Sequence, residues 1–280
     1  MSHHAADSDL GYRIFTGVKY LVYCLLCINV FLFLREELAA LEHTFVDGIE
    51  PGQIIQVFSA TIDTAAWVVL LLLFELETSV LDDSRIRGWT KAALHGVRGL
   101  CYVFIVWAFT GYYAELATLY DVAAVGVSQA CELAGQGYSL LVGLDDYVSL
   151  DAQSCVGAGP ELYRIASFDI VADSRNLEAV RWLAWTDVIN SGNWILICVL
   201  LEIEVRLQLR GALTDTLVKF NKFVKFALYS VLFAAAAYWG VAGKFLDFWD
   251  AALWLFAFIF IELNVFAWQR ETQQEAAAAV

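Results

Sequence analysis

The sequence predicts an all-α polytopic membrane protein: six transmembrane helices, arranged as three two-helix repeats around a pseudo-threefold axis, with a small external loop subdomain. Three observations lead there. The chain of 280 residues is 60% hydrophobic and 17% charged, with a mean hydropathy of +0.62, whereas soluble domains are about half apolar and about a quarter charged. Six stretches reach the roughly 20 apolar residues that a membrane helix needs. One pattern of acids, amides and tryptophans then recurs without gaps in three of those stretches. The same composition excludes a disordered chain and a disulfide-held mini-scaffold, and a net charge of −14 excludes a general nucleic-acid binder, which is basic.

The six expected spans are Gly17–Leu34, Ile54–Val80, Val97–Tyr120, Trp182–Val205, Phe226–Gly243 and Ala251–Trp268. None shows the period-2 alternation of a membrane barrel. The first lacks a small-residue cleavage site and reads as a retained signal-anchor. Twelve of the 17 Lys and Arg fall on the side of the N-terminus: Arg13, Lys19, Arg85, Arg87, Lys91, Arg98, Arg206, Arg210, Lys219, Lys222, Lys225 and Arg270. Basic residues stay cytoplasmic, so both termini are expected there, in a cell inner membrane. Seventeen of the 31 Asp and Glu collect on the opposite side, which makes that face an acidic surface able to concentrate cations or dock a basic partner.

The repeat sets the candidate residues in register. The second span reads Asp63-x3-Trp67-x7-Glu75-x-Glu77, the fourth Asn190-x3-Trp194-x7-Glu202-x-Glu204, and the sixth Asp250-x3-Trp254-x7-Glu262-x-Asn264. The odd spans share a start, Val18-Lys19-x3-Tyr23, Val97-Arg98-x3-Tyr102 and Val224-Lys225-x3-Tyr229. At about 100° per residue, the two inner acids of a span lie on opposite sides of its Trp. A carboxylate in an apolar span costs about 2.5–3.5 kcal/mol on insertion scales and therefore faces protein or water and takes a partner. The expected partners are Lys19, Arg98 and Lys225 against Glu75, Glu202 and Glu262, with the hydroxyls of Tyr23, Tyr102 and Tyr229 as donors. Trp67, Trp194 and Trp254 form the expected central aromatic layer.

Three two-helix repeats about a threefold axis resemble the mitochondrial carriers in plan. The carriers' Pro-x-[Asp/Glu]-x-x-[Lys/Arg] signature is absent, and no proline lies inside any span, so no site carries over. His3, His4, His43 and His95 all fall outside the expected spans, which argues against haem ligation within the membrane. No HExxH, Walker A or GxSxG pattern is present, and His and Cys do not cluster as in a zinc site. No enzyme activity, cofactor or metal is therefore expected. Cys131 and Cys155 share the long outside loop and are expected to form a disulfide, worth roughly 3 kcal/mol in the loop-entropy account. Cys24-x2-Cys27, within an apolar helix, reads as two small core residues.

These elements divide the chain into 1–53 (first span and first outside loop), 54–120 (spans two and three), 121–181 (outside loop subdomain), 182–268 (spans four to six) and 269–280 (a flexible cytoplasmic tail). The expected function is a cation or proton pathway lined by Asp63, Asn190, Asp250, Glu75, Glu77, Glu202, Glu204, Glu262 and Asn264. The alternative is a non-catalytic accessory subunit of a larger membrane complex. The expected partners are the lipid bilayer, cations, and a second copy or complex partner at the long outside loop; no nucleic acid is expected.

Overall fold

The structure is a computed structural model that describes residues 2–45, 48–77, 88–126, 129–166, 168–209 and 215–260. It is 75% helical. The helices are α1 (Ser2–Thr44), α2 (Ile54–Val57), α3 (Ser59–Glu75), α4 (Trp89–Thr118), α5 (Ser174–Leu209), α6 (Asp215–Ala242) and α7 (245–260). Among the described residues, four segments are long and apolar enough to cross a membrane: Arg13–Thr44, Trp89–Thr118, Ser174–Glu204 and Lys219–Ala242. That corrects the expectation of six. Helix α3 has only 17 residues, and the expected sixth span runs past residue 260, outside the described residues.

The chain divides into two compact units, Met1–Asn29 with Ala236–Val280, and Val30–Ala235. In the first, Asn29 of α1 donates to Asp250 of α7 over 2.7 Å, and Phe15 meets Phe260 edge to face at 5.1 Å. The chain turns from α6 into α7 through Gly243, whose φ of 84° suits a residue without a Cβ. Lys244 then bonds back to the Trp239 carbonyl at 3.0 Å, the six-to-one closure that ends helices at such a glycine.

In the second unit, α3 packs on α4 and α4 on α5. Several positions of the sequence repeat share their burial. Thr64, Ser191 and Ala251 occupy one repeat position and are all buried, as are Ala66, Asn193 and Leu253 at the next and Trp67, Trp194 and Trp254 at the third. The odd helices agree: Leu26, Ile105 and Leu232 stand seven residues after the shared base, and Asn29, Ala108 and Ala235 ten residues after it, all buried. Seven and ten residues place side chains on one helical face.

The connection from α4 to α5 corrects the all-helical expectation. It folds as a five-stranded sheet in the order β1-β4-β5-β2-β3, from β1 (Val122–Ala124), β2 (Ser139–Gly143), β3 (Asp146–Ser149), β4 (Leu162–Ile165) and β5 (Ile170–Asp173). All pairings are antiparallel except β2 with β5. Asp145, at φ 59°, closes the two-residue turn between β2 and β3. Cys131 and Cys155 form the disulfide, with Cα atoms 4.9 Å apart, and Cys155 packs with Leu133, Leu140, Leu150, Leu162 and Val171 in a small core. So small a core holds little apolar surface, which is where a covalent tie matters most.

Two aspartates shape the ends of this body. Asp151 accepts from the backbone N–H of Gln153 and of Ser154, each at 2.8 Å, and those bonds hold its carboxyl below the usual carboxylate range. Asp173 begins α5 eight residues earlier than the sequence implies. Its carboxylate accepts from the Asn176 N–H at 2.9 Å, the bond that caps a helix start, and from Gly159 N–H at 3.3 Å.

Gly111 of α4 marks a close approach to α2 and α3. A Cβ there would run into the Ile55 carbonyl oxygen and lie 3.0 Å from the Ser59 Cβ. Gly111→Ala is expected to lower stability by about 1–3 kcal/mol, read as a reduced thermal midpoint in detergent. For Asp151 the folded value lies below the unfolded one, so its contribution is present above about pH 3.9 and fades as pH falls through the lower folded value. Asp151→Asn keeps an acceptor and removes the charge. Its thermal midpoint is expected to fall below wild type at pH 7 and to converge with it below about pH 3; a pH-independent gap would contradict the assignment.

Candidate functional site

The polar layer expected at the base-rich end of the helices is present, with different pairing. Arg98 of α4 meets Glu77, just past α3, at 2.5 Å. Lys225 of α6 meets Glu204 of α5, also at 2.5 Å. Each base thus takes the second acid of its repeat, not the first. The geometry repeats, because both pairs join residues 21 apart on consecutive antiparallel helices. The sequence placed the two inner acids on opposite flanks of the Trp face; packing chose the flank on which the following helix returns.

The remaining predicted residues divide by location. Glu202 pairs with Arg206 one turn on, at 2.7 Å, on an exposed surface. Glu75 is buried on α3. Lys19 is buried, and its ammonium lies 4.9 Å from the Tyr20 ring. Tyr23 is buried, Tyr229 half-buried and Tyr102 exposed. Tyr102 donates no hydrogen bond among the described residues, which corrects its expected role. Glu262 and Asn264 lie outside the described residues.

Of the aromatic layer, Trp67 and Trp194 meet with ring centroids 6.1 Å apart, while Trp254 is buried in the other unit. Asp63 and Asn190 are half-buried on α3 and α5. Asp250 accepts both from Asn29 and from the indole of Trp254, four residues on. That spacing is the Asp/Asn-x3-Trp of the repeat.

Sequence reasoning missed three features at the sheet-bearing end. Glu37 is buried on α1 and caps α3. It accepts from Ala60 N–H at 2.8 Å, Thr61 N–H at 3.2 Å and the Thr61 hydroxyl at 2.5 Å. Beside it a cavity of about 50 Å³, room for a few waters, is lined by Glu37, Gln56, Glu115, Thr118, Asp145 and Tyr147. Burial first, then Asp145, Glu115 and Asp146, push the Tyr147 hydroxyl well above its ordinary range, so it stays protonated. A wider groove, about 1170 Å³, runs between the end of α1 and the sheet and is lined by Glu42, His43, Glu50, Tyr138, Asp151 and Asp169 among others.

The third feature joins the sheet to the helices. Arg181 of α5 donates through Nε to the Leu119 carbonyl at 2.9 Å and stacks on the Tyr120 ring at 4.5 Å. The Trp185 indole donates to the Tyr120 hydroxyl at 3.1 Å. The signal was visible as a base beside two tryptophans at a span's edge. Among the described residues, no group of three His, Cys, Asp or Glu is arranged to hold a metal ion. In comparisons with known proteins, the chain matches no family model, no curated protein and no solved structure.

The two ion pairs make a specific prediction. Arg98→Met or Glu77→Gln alone is expected to destabilise the protein, whereas the exchange Arg98→Glu with Glu77→Arg restores most of the loss. The coupling expected from a double-mutant cycle is on the order of 1 kcal/mol, since both pairs keep some exposure. Additive single losses would mean that the pair contributes no mutual attraction.

Proposed function

We propose that the protein is a multi-pass membrane subunit without catalytic activity, whose helices present the disulfide-tied sheet to a partner in a membrane complex. One observation carries this reading. Glu77 and Glu204, two of the inner carboxylates expected to line a cation path, are each paired with a base at 2.5 Å. Paired in this way, they set helix register instead of presenting negative charge to a permeant ion.

The three-repeat arrangement is part of the proposal, supported by the matching buried positions and the matching ion pairs. So is the orientation with both termini cytoplasmic, supported by the basic residues at the Arg98 and Lys225 end. The sheet would then face the outside, where disulfides persist. Its groove carries Glu42, Glu50, Asp151 and Asp169 and suits a basic segment of the partner.

A second reading keeps the cation or proton pathway through Asp63, Asn190 and Asp250. The Asn29–Asp250–Trp254 cluster favours it, because it places a carboxylate within a buried hydrogen-bonded site at a repeat-matched position.

Ion flux in liposomes separates the two. Vesicles holding the purified protein are expected to stay tight to protons and monovalent cations under an imposed gradient. Native electrophoresis of solubilised membranes is expected to show a band heavier than the homo-oligomers of the purified protein, lost on Glu42→Lys with Glu50→Lys. A leak abolished by Asp250→Asn would overturn the subunit reading in favour of the pathway.

A further inference from the structure

We propose that the pocket at the first turns of α5 binds the phosphate of an anionic phospholipid. The pocket, about 620 Å³, is lined by Tyr120, Tyr163, Arg181, Trp182, Trp185 and Ile189, and by Ser174 and the carboxylate-bearing Glu178 among others. It lies wholly within the unit Val30–Ala235, and it does not depend on which reading of the overall function holds.

Depth places it at the membrane edge. From Trp185 to Glu204 is 19 residues, about 28 Å along a helix, close to the roughly 30 Å of a bilayer's hydrocarbon core. The Glu204–Lys225 pair then marks one boundary and Arg181 to Trp185 the other. Trp and Tyr gather at such boundaries, where an apolar ring meets a wet edge.

Chemistry selects an anion. Arg181 spends Nε on the Leu119 carbonyl and one face on Tyr120. Among the described residues, its two terminal nitrogens have no hydrogen-bond partner, which leaves four N–H donors for a ligand. Glu178 shares the pocket without pairing with Arg181. The Tyr163 hydroxyl also lacks a partner among the described residues, and the Tyr120 hydroxyl, which accepts from Trp185, still has its own proton to donate. The Nε bond fixes the guanidinium plane, and a planar fork of donors matches two phosphate oxygens.

The neighbouring surface selects a lipid over free phosphate. Trp182, Trp185 and Ile189 are 58%, 39% and 49% exposed. At spacings of three and four they form one apolar stripe running from the pocket toward the bilayer centre. A phosphodiester on Arg181 would lay its acyl chains along that stripe. Free phosphate would leave it uncovered.

Native mass spectrometry of the full chain in detergent tests this with three probes: phosphatidylglycerol, phosphatidylcholine and inorganic phosphate. Wild type is expected to retain phosphatidylglycerol in preference to phosphatidylcholine. Arg181→Gln is expected to weaken that binding about tenfold, as loss of a charge-assisted contact does. Tyr163→Phe leaves the Arg181 anchor intact and is expected to weaken it severalfold, which keeps the test valid if Arg181→Gln misfolds. Arg175→Gln, an exposed base outside the pocket, should change nothing. Unchanged phosphatidylglycerol binding in both pocket variants would overturn the proposal. Equal binding of the two lipids, or displacement of phosphatidylglycerol by millimolar inorganic phosphate, would overturn the assignment to an anionic lipid.

Discussion

A charge inside an apolar helix must find a partner, and the rest of the helical structure follows from how it does so. Glu77 lies just past α3 and Glu204 in the last turns of α5, both at the base-rich end of the helices. Both carboxylates are only partly exposed there, 21% and 27%, so a partner base stabilises each by on the order of 1 kcal/mol. Each is met by a base on the helix that returns, Arg98 or Lys225. Because both pairs span 21 residues, each fixes the same sliding register between consecutive helices. Apart from these pairs, Trp67 and Trp194 meet at 6.1 Å, and Gly111 brings α4 against the Ile55 carbonyl.

The opposite end is organised by unsatisfied backbone instead of charge. Helix starts leave N–H groups without intrahelical partners. Glu37 supplies acceptors for α3, and Asp173 does so for α5. The carbonyl of Leu119, where α4 ends, is taken by Arg181. A single group of side chains thus ties α4, the sheet and α5 together. The sheet is not a loosely tethered loop, because both of its connections are hydrogen-bonded to the helices they join.

Much of this was legible from residue spacing. The apolar segments, the Trp and acid repeat and the disulfide are all sequence patterns with one simple structural consequence each. The helix ends were not. Arg35, Glu36 and Glu37 lower local hydropathy, yet α1 continues to Thr44, because helix continuity depends on backbone bonds and not on hydropathy. The sheet escaped as well. Its strands have three to five residues, and at that length an apolar run such as Ser139–Gly143 gives too little period-2 signal to separate strand from loop.

By itself, the sequence determined which segments are apolar, which carboxylates fall among them, and that the same polar order recurs three times. Those are properties of one strand of text read at helical spacing. Only the tertiary structure decided that Arg98 takes Glu77 and not Glu75, that Glu37 is buried, and that Arg181 closes the junction. The reason is physical. Helical periodicity gives each side chain an azimuth and a depth, but a contact also needs the position of the neighbouring helix. That position is set by packing many residues at once.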